Sequence, residues 1–213
     1  MPLHLYAVAA QPLPDAGAGH WGEPLVWIPA GAVAALAGRV PAHAEPDLDA
    51  VLGHDAVVRR VASRGPALPA RWQAAFPDGA AIAGLIAPLA GALLEALAVV
   101  AERVQMDTVI EGAAAPPPDL AGLGPGARHL SERAAAARAC DRALAAVREA
   151  VGALALAERA GRTGTAARLH HLVRPGDAAA YRAAIGAVRL EPGLRARASG
   201  PWPAYAFAPE ELA

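Results

Sequence analysis

The sequence predicts an α+β fold, with strands and helices of mixed order and no uniform βα repeat. Three observations lead there. Between residues 104 and 198 the apolar pattern switches between periods of two and of about 3.6, in the order strand, long helix, strand, helix, strand. That order is compatible with a ferredoxin-like arrangement. Short apolar runs near the N-terminus are separated by Pro- and Gly-rich stretches, the punctuation of turns and loops. Finally, the chain closes on Gly200-Pro201-Trp202-Pro203-Ala204-Tyr205-Ala206-Phe207, which gathers one Trp, one Tyr and one Phe from a total of four, three and two.

The first half is expected to begin with a strand over residues 4–10, a Pro/Gly loop, and a second strand over 25–28. Residues 32–40 suit a strand or a short helix: alanine favours the helix, the Val/Leu alternation the strand. Asp47 is placed to N-cap a helix from 48 to about 64, with Val51, His54, Asp55, Val58, Val61 and Ala62 marking its faces and Gly65-Pro66 ending it. Residues 68–72 read as extended. Asp78 should cap a long apolar helix whose Ile82, Ile86, Leu89, Leu93, Leu97, Val100 and Val104 recur at steps of three and four. That spacing makes one core-facing stripe, so residues 80–101 are expected to be a buried amphipathic helix and not a membrane span.

In the second half, residues 104–110 alternate as a strand. Residues 112–126 contain Pro116-Pro117-Pro118 and read as a loop or linker. Residues 127–160 carry a helical pattern, with a seam of Cys140, Leu144, Val147, Val151 and Leu154 at 4-3-4-3 spacing. A strand over 169–173, a helix from Asp177 through 188 and a strand over 194–198 lead into the aromatic tail. Its prolines fix φ and remove backbone donors, so the tail is no helix and a poor central strand. Its three rings are expected to pin it onto its own domain, the alternative being a tail that docks on a partner.

Composition narrows the function. The chain has 213 residues, room for one large domain or two small ones, and a net charge of −1 with no basic stripe to bind nucleic acid. All nineteen basic residues are arginine, so there is no lysine for a Walker A loop or a Schiff base. Gly17-Ala18-Gly19-His20-Trp21-Gly22 matches G-x-G-x-x-G but runs into Pro24 and a strand, so it reads as a loop and not a dinucleotide site. Cys140 is the single cysteine and excludes an internal disulfide. Neighbours on a strand point to opposite faces, so His170 and His171 cannot chelate one metal together. No pattern points to a cofactor, a metal or a catalytic set. Arg71, between Pro69 and Trp72, is the charge that stands out. It suits a buried ion pair, or an interface guanidinium stacked on Trp72.

With these segments in place, the chain resembles the GvpF/GvpL family of gas vesicle proteins over essentially its whole length. His4-Leu5-Tyr6-Ala7-Val8 is similar to the family's first strand. Leu52-Gly53-His54-Asp55-Ala56-Val57-Val58, followed by Gly65-Pro66-Ala67-Leu68-Pro69-Ala70-Arg71-Trp72, is similar to its helix with an internal histidine leading into a P-x-R-aromatic segment. Ala101-Glu102-Arg103-Val104-Gln105 falls where the family turns from helix to strand. The closing Gly200-to-Phe207 signature is the most specific match. The chain departs from the family pattern at Ala204 and Ala206, where Pro and Ser are common, at Trp72 and Gln73, where Phe and Gly are favoured, and at Gln105, where Glu is.

The resemblance implies an N-terminal α+β domain over 1–102 and a ferredoxin-like domain over 103–213, with 112–126 as a loop inside the second. It also implies a non-enzymatic accessory or minor structural protein in the cytoplasm, at the gas vesicle. Its partners would be the major shell subunit and other accessory proteins, with no cofactor. The interaction or structural residues would be His54, Pro69, Arg71, Trp72, Gly200, Pro201, Trp202, Pro203, Tyr205 and Phe207. Two other readings stand beside this one: a ligand-binding protein or enzyme on a ferredoxin-like scaffold, and an assembly chaperone not retained in the vesicle.

Overall fold

The structure, a computed structural model, describes residues 2–41, 47–112, 123–163 and 166–212. The chain divides into two compact units. One comprises Met1–Gln105 with Trp202–Ala213, and the other Met106–Pro201.

The first unit is built on β1 (Leu3–Ala9), whose residues from His4 onward are all buried. A strand buried on both faces is central, and β1 pairs with β3 (Val33–Arg39) on one side. Its other side takes two short strands, β4 (Leu68–Pro69) and β5 (Ala75–Phe76). β2 (Leu25–Ala30) lies outside β3, with Pro29 where a missing donor does no harm. Residues 32–40 thus resolve as a strand: β-branched and apolar side chains pack between two neighbours, and pairing outweighs alanine's helix preference. The β1–β3 register slips between Leu5 and Ala7, so Tyr6 occupies a bulge, a device that re-aims a side chain.

Helix α1 (Leu48–Ala62) begins as expected, with the Asp47 carboxylate accepting from Ala50 N at 2.8 Å. Val57 and Val61 pack with Tyr6, Ala7 and Leu36, and Trp27 joins this cluster. Ile28, the next residue, reaches the other face and touches Gly79. The sheet is therefore covered by α1 on one side and by the Gly79–Val100 helix on the other. Of the residues marking the faces of α1, His54, Val58 and Val61 are buried and Val51 is exposed.

The second helix starts at Asp78, whose carboxylate accepts from Ala81 N at 2.9 Å. α2 (Gly79–Ile86) passes through a single 3₁₀ turn at Ala87–Leu89, which contains Pro88, into α3 (Ala90–Val100). Ile82, Ile86, Leu93, Leu97 and Val100 form the expected buried stripe, joined by Ala90, while Val104 falls in the next strand. The opposite face departs from expectation, because it is apolar as well.

The second unit has the order β6 (Val104–Gly112), α4 (Pro125–Val151), β7 (Ala157–Thr163), β8 (Ala166–Val173), α5 (Ala178–Ala187), β9 (Leu194–Trp202). Its sheet runs β7-β8-β6-β9, the βαββαβ ferredoxin-like arrangement. Strand β7 begins within the run expected to be helix as far as 160. α4 stops at Val151, and Ala157–Thr163 pairs antiparallel with β8 instead. The sequence Ala-Glu-Arg-Ala-Gly-Arg-Thr has little β propensity, and only its register with β8 makes it a strand. The buried seam of α4 is Ala139, Ala143, Val147 and Val151, with Cys140 and Leu144 half-buried beside it. Alanine lets the helix approach closely, which rotates the contact by one position. Most of the Pro-rich stretch lies outside the described residues, and Pro125 and Gly126 open α4. Asp177 stands at the N-cap of α5 without a capping bond, and faces Arg174 at 3.6 Å instead.

A polar relay fastens this unit internally. Arg148 holds Glu158 through both carboxylate oxygens, with Nη2 to Oε1 at 2.7 Å. His171 Nε2 donates to Glu158 Oε2 at 3.0 Å, so its Nδ1 accepts from Tyr181 Oη at 2.7 Å. Thr108 Oγ1 then donates to Tyr181 Oη at 2.8 Å. Burial lowers the His171 pKa and pushes the Tyr181 phenol up to about 12. Hydrogen bonding to Arg148 holds the Glu158 carboxyl below its ordinary range. The relay thus ties α4, β7, β8, α5 and β6 through groups of settled protonation. Tyr181→Phe leaves a buried acceptor on His171 and a buried hydroxyl on Thr108 unpaired. It should cost about 1–3 kcal/mol, read as a lower urea midpoint with unchanged slope.

Candidate interaction site

The sequence-flagged segments converge in the first unit. Pro69 and Leu68 form the two residues of β4 against Ala7 and Val8. The next backbone groups are all engaged: Ala70 N donates to Tyr6 O at 2.9 Å and Arg71 N to Leu212 O at 2.6 Å. The P-x-R-W segment is therefore a bracket, with β1 on one side and the C-terminal end of the chain on the other. Arg71 itself points outward. Its guanidinium is exposed and has no carboxylate partner among the described residues, so the buried ion pair expected for it does not exist. Its backbone performs the fastening.

His54 is where α1 enters this bracket. Its Nε2 lies 3.1 Å from Ala70 O, and a carbonyl only accepts, so that nitrogen carries the proton. Its Nδ1 is then an acceptor, and His4 Nε2 donates to it at 2.7 Å. The two rings form a directional chain from β1 through α1 to β4. Trp72 packs edge-on to His4 at 5.1 Å between ring centroids, Trp21 at 5.9 Å, and Tyr6 stacks on His54 at 5.3 Å. Burial first, and then each other's charge in the case of His4, lowers the pKa values to about 3 for His4 and about 4 for His54. Both rings are neutral at physiological pH.

The G-x-G-x-x-G loop closes this assembly. Glu23, buried, accepts from Tyr6 Oη at 2.6 Å and from Trp21 N at 2.9 Å. Burial and the Glu23 hydrogen bond push the Tyr6 phenol well above its ordinary pKa. A Cβ at Gly19 would lie 1.7 Å from the Glu23 carboxylate, and one at Gly53 of α1 1.7 Å from His20 Nδ1. Those two glycines admit close approach, not a nucleotide. Arg60 donates to the carbonyls of Ala16 and Ala18, tying the loop to α1.

The aromatic tail completes the first unit. Gly200 and Pro201 lie among the last residues of β9, which ends at Trp202. Trp202 lies under the Arg59 guanidinium, 4.5 Å from ring centroid to Cζ. Pro203, Ala204 and Phe207 are buried, and a 3₁₀ turn spans Tyr205–Phe207. Tyr205 Oη donates to Asp55 Oδ1 at 3.1 Å, and Ala206 N to Gln105 Oε1 at 2.8 Å. Burial and the adjacent Asp55 raise the Tyr205 pKa. All the flagged residues except Gly200 and Pro201 fall in this unit. Sequence reasoning missed His4, Tyr6, His20, Trp21 and Glu23. The available signal was the pairing of a short glycine-spaced loop with a histidine-bearing first strand. Among the described residues no group of three His, Cys, Asp or Glu converges to hold a metal.

The outward face of the Gly79–Val100 helix is the other conspicuous surface. The helix has 22 residues, and its most apolar 18-residue stretch has a mean hydropathy of 2.1, long and apolar enough to cross a membrane, yet only 28% of that stretch is buried. Leu85, Leu94 and Val99 are 37%, 37% and 42% exposed, and Glu95 is the one charge in the helix. Gly84 and Gly91 lie on this side, where a Cβ would meet nothing within 4 Å.

The model of the family described as gas vesicle synthesis protein GvpL/GvpF matches residues 2–209. Comparison with curated proteins gives no match. Two solved structures are similar in fold. Gas vesicle protein GvpF from Microcystis aeruginosa superposes with a TM-score of 0.79 at 17% identity, covering 98% of this chain and 99% of that one. GvpF from Anabaena sp. PCC7120 superposes with a TM-score of 0.74 at 14% identity, covering 98% of each.

Two outcomes are expected from the bracket. Gln73 sits at φ +73°, in the left-handed region that favours glycine. Gln73→Gly should relieve about 1–2 kcal/mol of strain against a smaller loss to chain entropy. A net gain of about 0.5–1 kcal/mol should appear as a melting temperature a few degrees higher. The histidines set a pH dependence. Their folded pKa values lie below the unfolded value near 6.5, so the unfolded chain binds more protons as pH falls. Their contribution is complete above about pH 6.5 and is lost progressively as pH falls through about 4 for His54 and about 3 for His4. Urea midpoints between pH 7.5 and 4.5 should fall accordingly, and His54→Asn should remove one of the two protons from that slope.

Proposed function

The chain belongs to the gas vesicle synthesis protein GvpL/GvpF family, and we propose that it serves there as an accessory protein that grips apolar shell subunits before they polymerise. The observation that carries this reading is the bare outer face of the Gly79–Val100 helix. A helix that is apolar all round is ordinarily buried all round. Here one side is occupied by the unit's own sheet and the other holds Leu85, Leu94 and Val99 with little polar relief. Exposed large apolar side chains on a helix of this kind suit contact with another protein. Gly84 and Gly91 support the same reading. Each weakens a helix by about 1 kcal/mol relative to alanine, and neither is required by an internal contact. They flatten the face so that a partner backbone can approach.

The partner that fits is the major shell subunit, which exposes apolar surface until it is incorporated in the vesicle wall. Other accessory proteins would bind elsewhere on the chain. The role is one of contact and not of catalysis, and its place is the gas vesicle in the cytoplasm. The residues of the bracket and tail hold the first unit rigid, so that the helix is presented as a firm face. Pro69, Trp72 and Phe207 are in this view structural supports for binding.

Co-purification with the major shell protein tests the reading. Wild type should retain the shell protein, and a Leu85→Glu, Leu94→Glu, Val99→Glu variant should lose at least about tenfold of it, equivalent to about 1.4 kcal/mol. The three sites are surface positions, so the melting temperature should hardly change. Failure of wild type to associate, or equal retention by the variant, would refute the assignment. Washing isolated vesicles then separates a retained minor component from an assembly factor that leaves.

A further inference from the structure

We infer that the edge of the second unit's sheet beside β9 receives an extended, acidic segment of a partner protein as an added strand. This is independent of the apolar helix face, which belongs to the other unit. Three observations converge on the edge. Among the described residues β9 ends the sheet, having β6 on one side and no strand on the other. A groove of about 430 Å³ lies between it and the C-terminal end of α5, with Ile185, Val188, Leu190 and Leu194 supplying apolar walls. Arg195 and Arg197 also line that groove, with Glu111 as its one acidic residue. Arg195 is exposed with no acidic partner among the described residues, and Arg197 reaches only Glu111, at 3.7 Å.

The chemistry of the occupant follows from strand geometry. Arg195 and Arg197 lie two residues apart and so share one face of β9, while Leu194 and Ala196 share the other. A strand laid alongside would present alternate side chains to the two arginines and to the apolar wall by α5. The matching pattern is apolar–acidic–apolar–acidic, joined by main-chain hydrogen bonds in the manner of β-strand addition. A second copy of this chain does not meet the requirement. Pairing β9 with itself would set arginine opposite arginine, and like charges facing across strands are destabilising. The arginines therefore guard the edge against its own kind while leaving it open to a carboxylate-bearing strand.

The test uses the full chain and two fluorescein-labelled heptapeptides, one alternating valine with glutamate and the other alternating valine with lysine. The glutamate peptide should bind with a Kd below about 1 mM, at least tenfold tighter than the lysine peptide. It should perturb amide resonances of residues 185–190 and 194–198. Arg195→Glu with Arg197→Glu should invert the preference between the peptides. Gly186→Leu should weaken binding at least tenfold by filling the groove. A Cβ at Gly186 meets nothing within 4 Å, so this variant should keep its fold, as checked by circular dichroism. No binding of the glutamate peptide at 1 mM, equal binding of the two peptides, or resonance changes confined to other residues would each overturn the inference.

Discussion

The first unit depends on a hydrogen-bond chain three groups long: His4 Nε2 to His54 Nδ1, and His54 Nε2 to Ala70 O. It joins the central strand, the helix above it and the bracket that receives the end of the chain. Each ring has one donor and one acceptor when neutral, so the proton on every nitrogen in the chain is dictated by the carbonyl at its end. Protonation of His54 Nδ1 would break that order, because two ring N–H groups would then face each other. The surrounding aromatic rings keep water away and so keep the chain neutral. Tyr6 and Glu23 extend the same buried network to the glycine loop. This is a demanding arrangement. Fully satisfied, such networks specify one geometry; partly satisfied, they are a liability.

That rigidity gives meaning to the apolar helix on the opposite side of the sheet. A mobile helix with an apolar outer face would fold over or aggregate. Pinned by Ile82, Ile86, Leu93 and Leu97, the Gly79–Val100 segment cannot turn its outer side inward. Its exposed leucines and valine are therefore a durable property of the surface. The second unit solves the matching problem at β9 differently. There arginines line an open strand edge, and charge restricts which strands can join it. One unit presents apolar area and the other a charged edge, two recognition chemistries on one chain.

Much of the architecture was legible in the sequence. Asp47 and Asp78 announced their helices because a carboxylate before an apolar-periodic run satisfies an otherwise orphaned N–H. Strands β1, β2, β6 and β8 announced themselves by apolar runs and alternation. β7 did not, because Ala157–Thr163 has the composition of a helix surface and is a strand only through its pairing with β8. The α4 seam was displaced because alanines, small enough for close approach, carried the contact that larger residues were expected to make. The tail was conspicuous for its rings and prolines. What it touches, Asp55, Arg59, Gln105 and the Arg71 amide, lies far away in sequence and left no local trace. Arg71 drew attention as a charge, whereas the structure uses its amide. His4 and Glu23 went unnoticed because one buried histidine or glutamate has no pattern until its partners are in place. The apolar outer face was hidden by its own helical stripe: the same residues that signalled a core helix also satisfied the expectation of amphipathicity.

Site-specific photocrosslinking tests the central claim, that the exposed side of the Gly79–Val100 helix is where shell subunits are held. A photoreactive phenylalanine analogue placed at position 85, 94 or 99 should yield adducts with the major shell protein in cells assembling vesicles. The same analogue at exposed Leu130 on α4 should give none. Adducts from position 130 with none from the three helix positions would contradict the account.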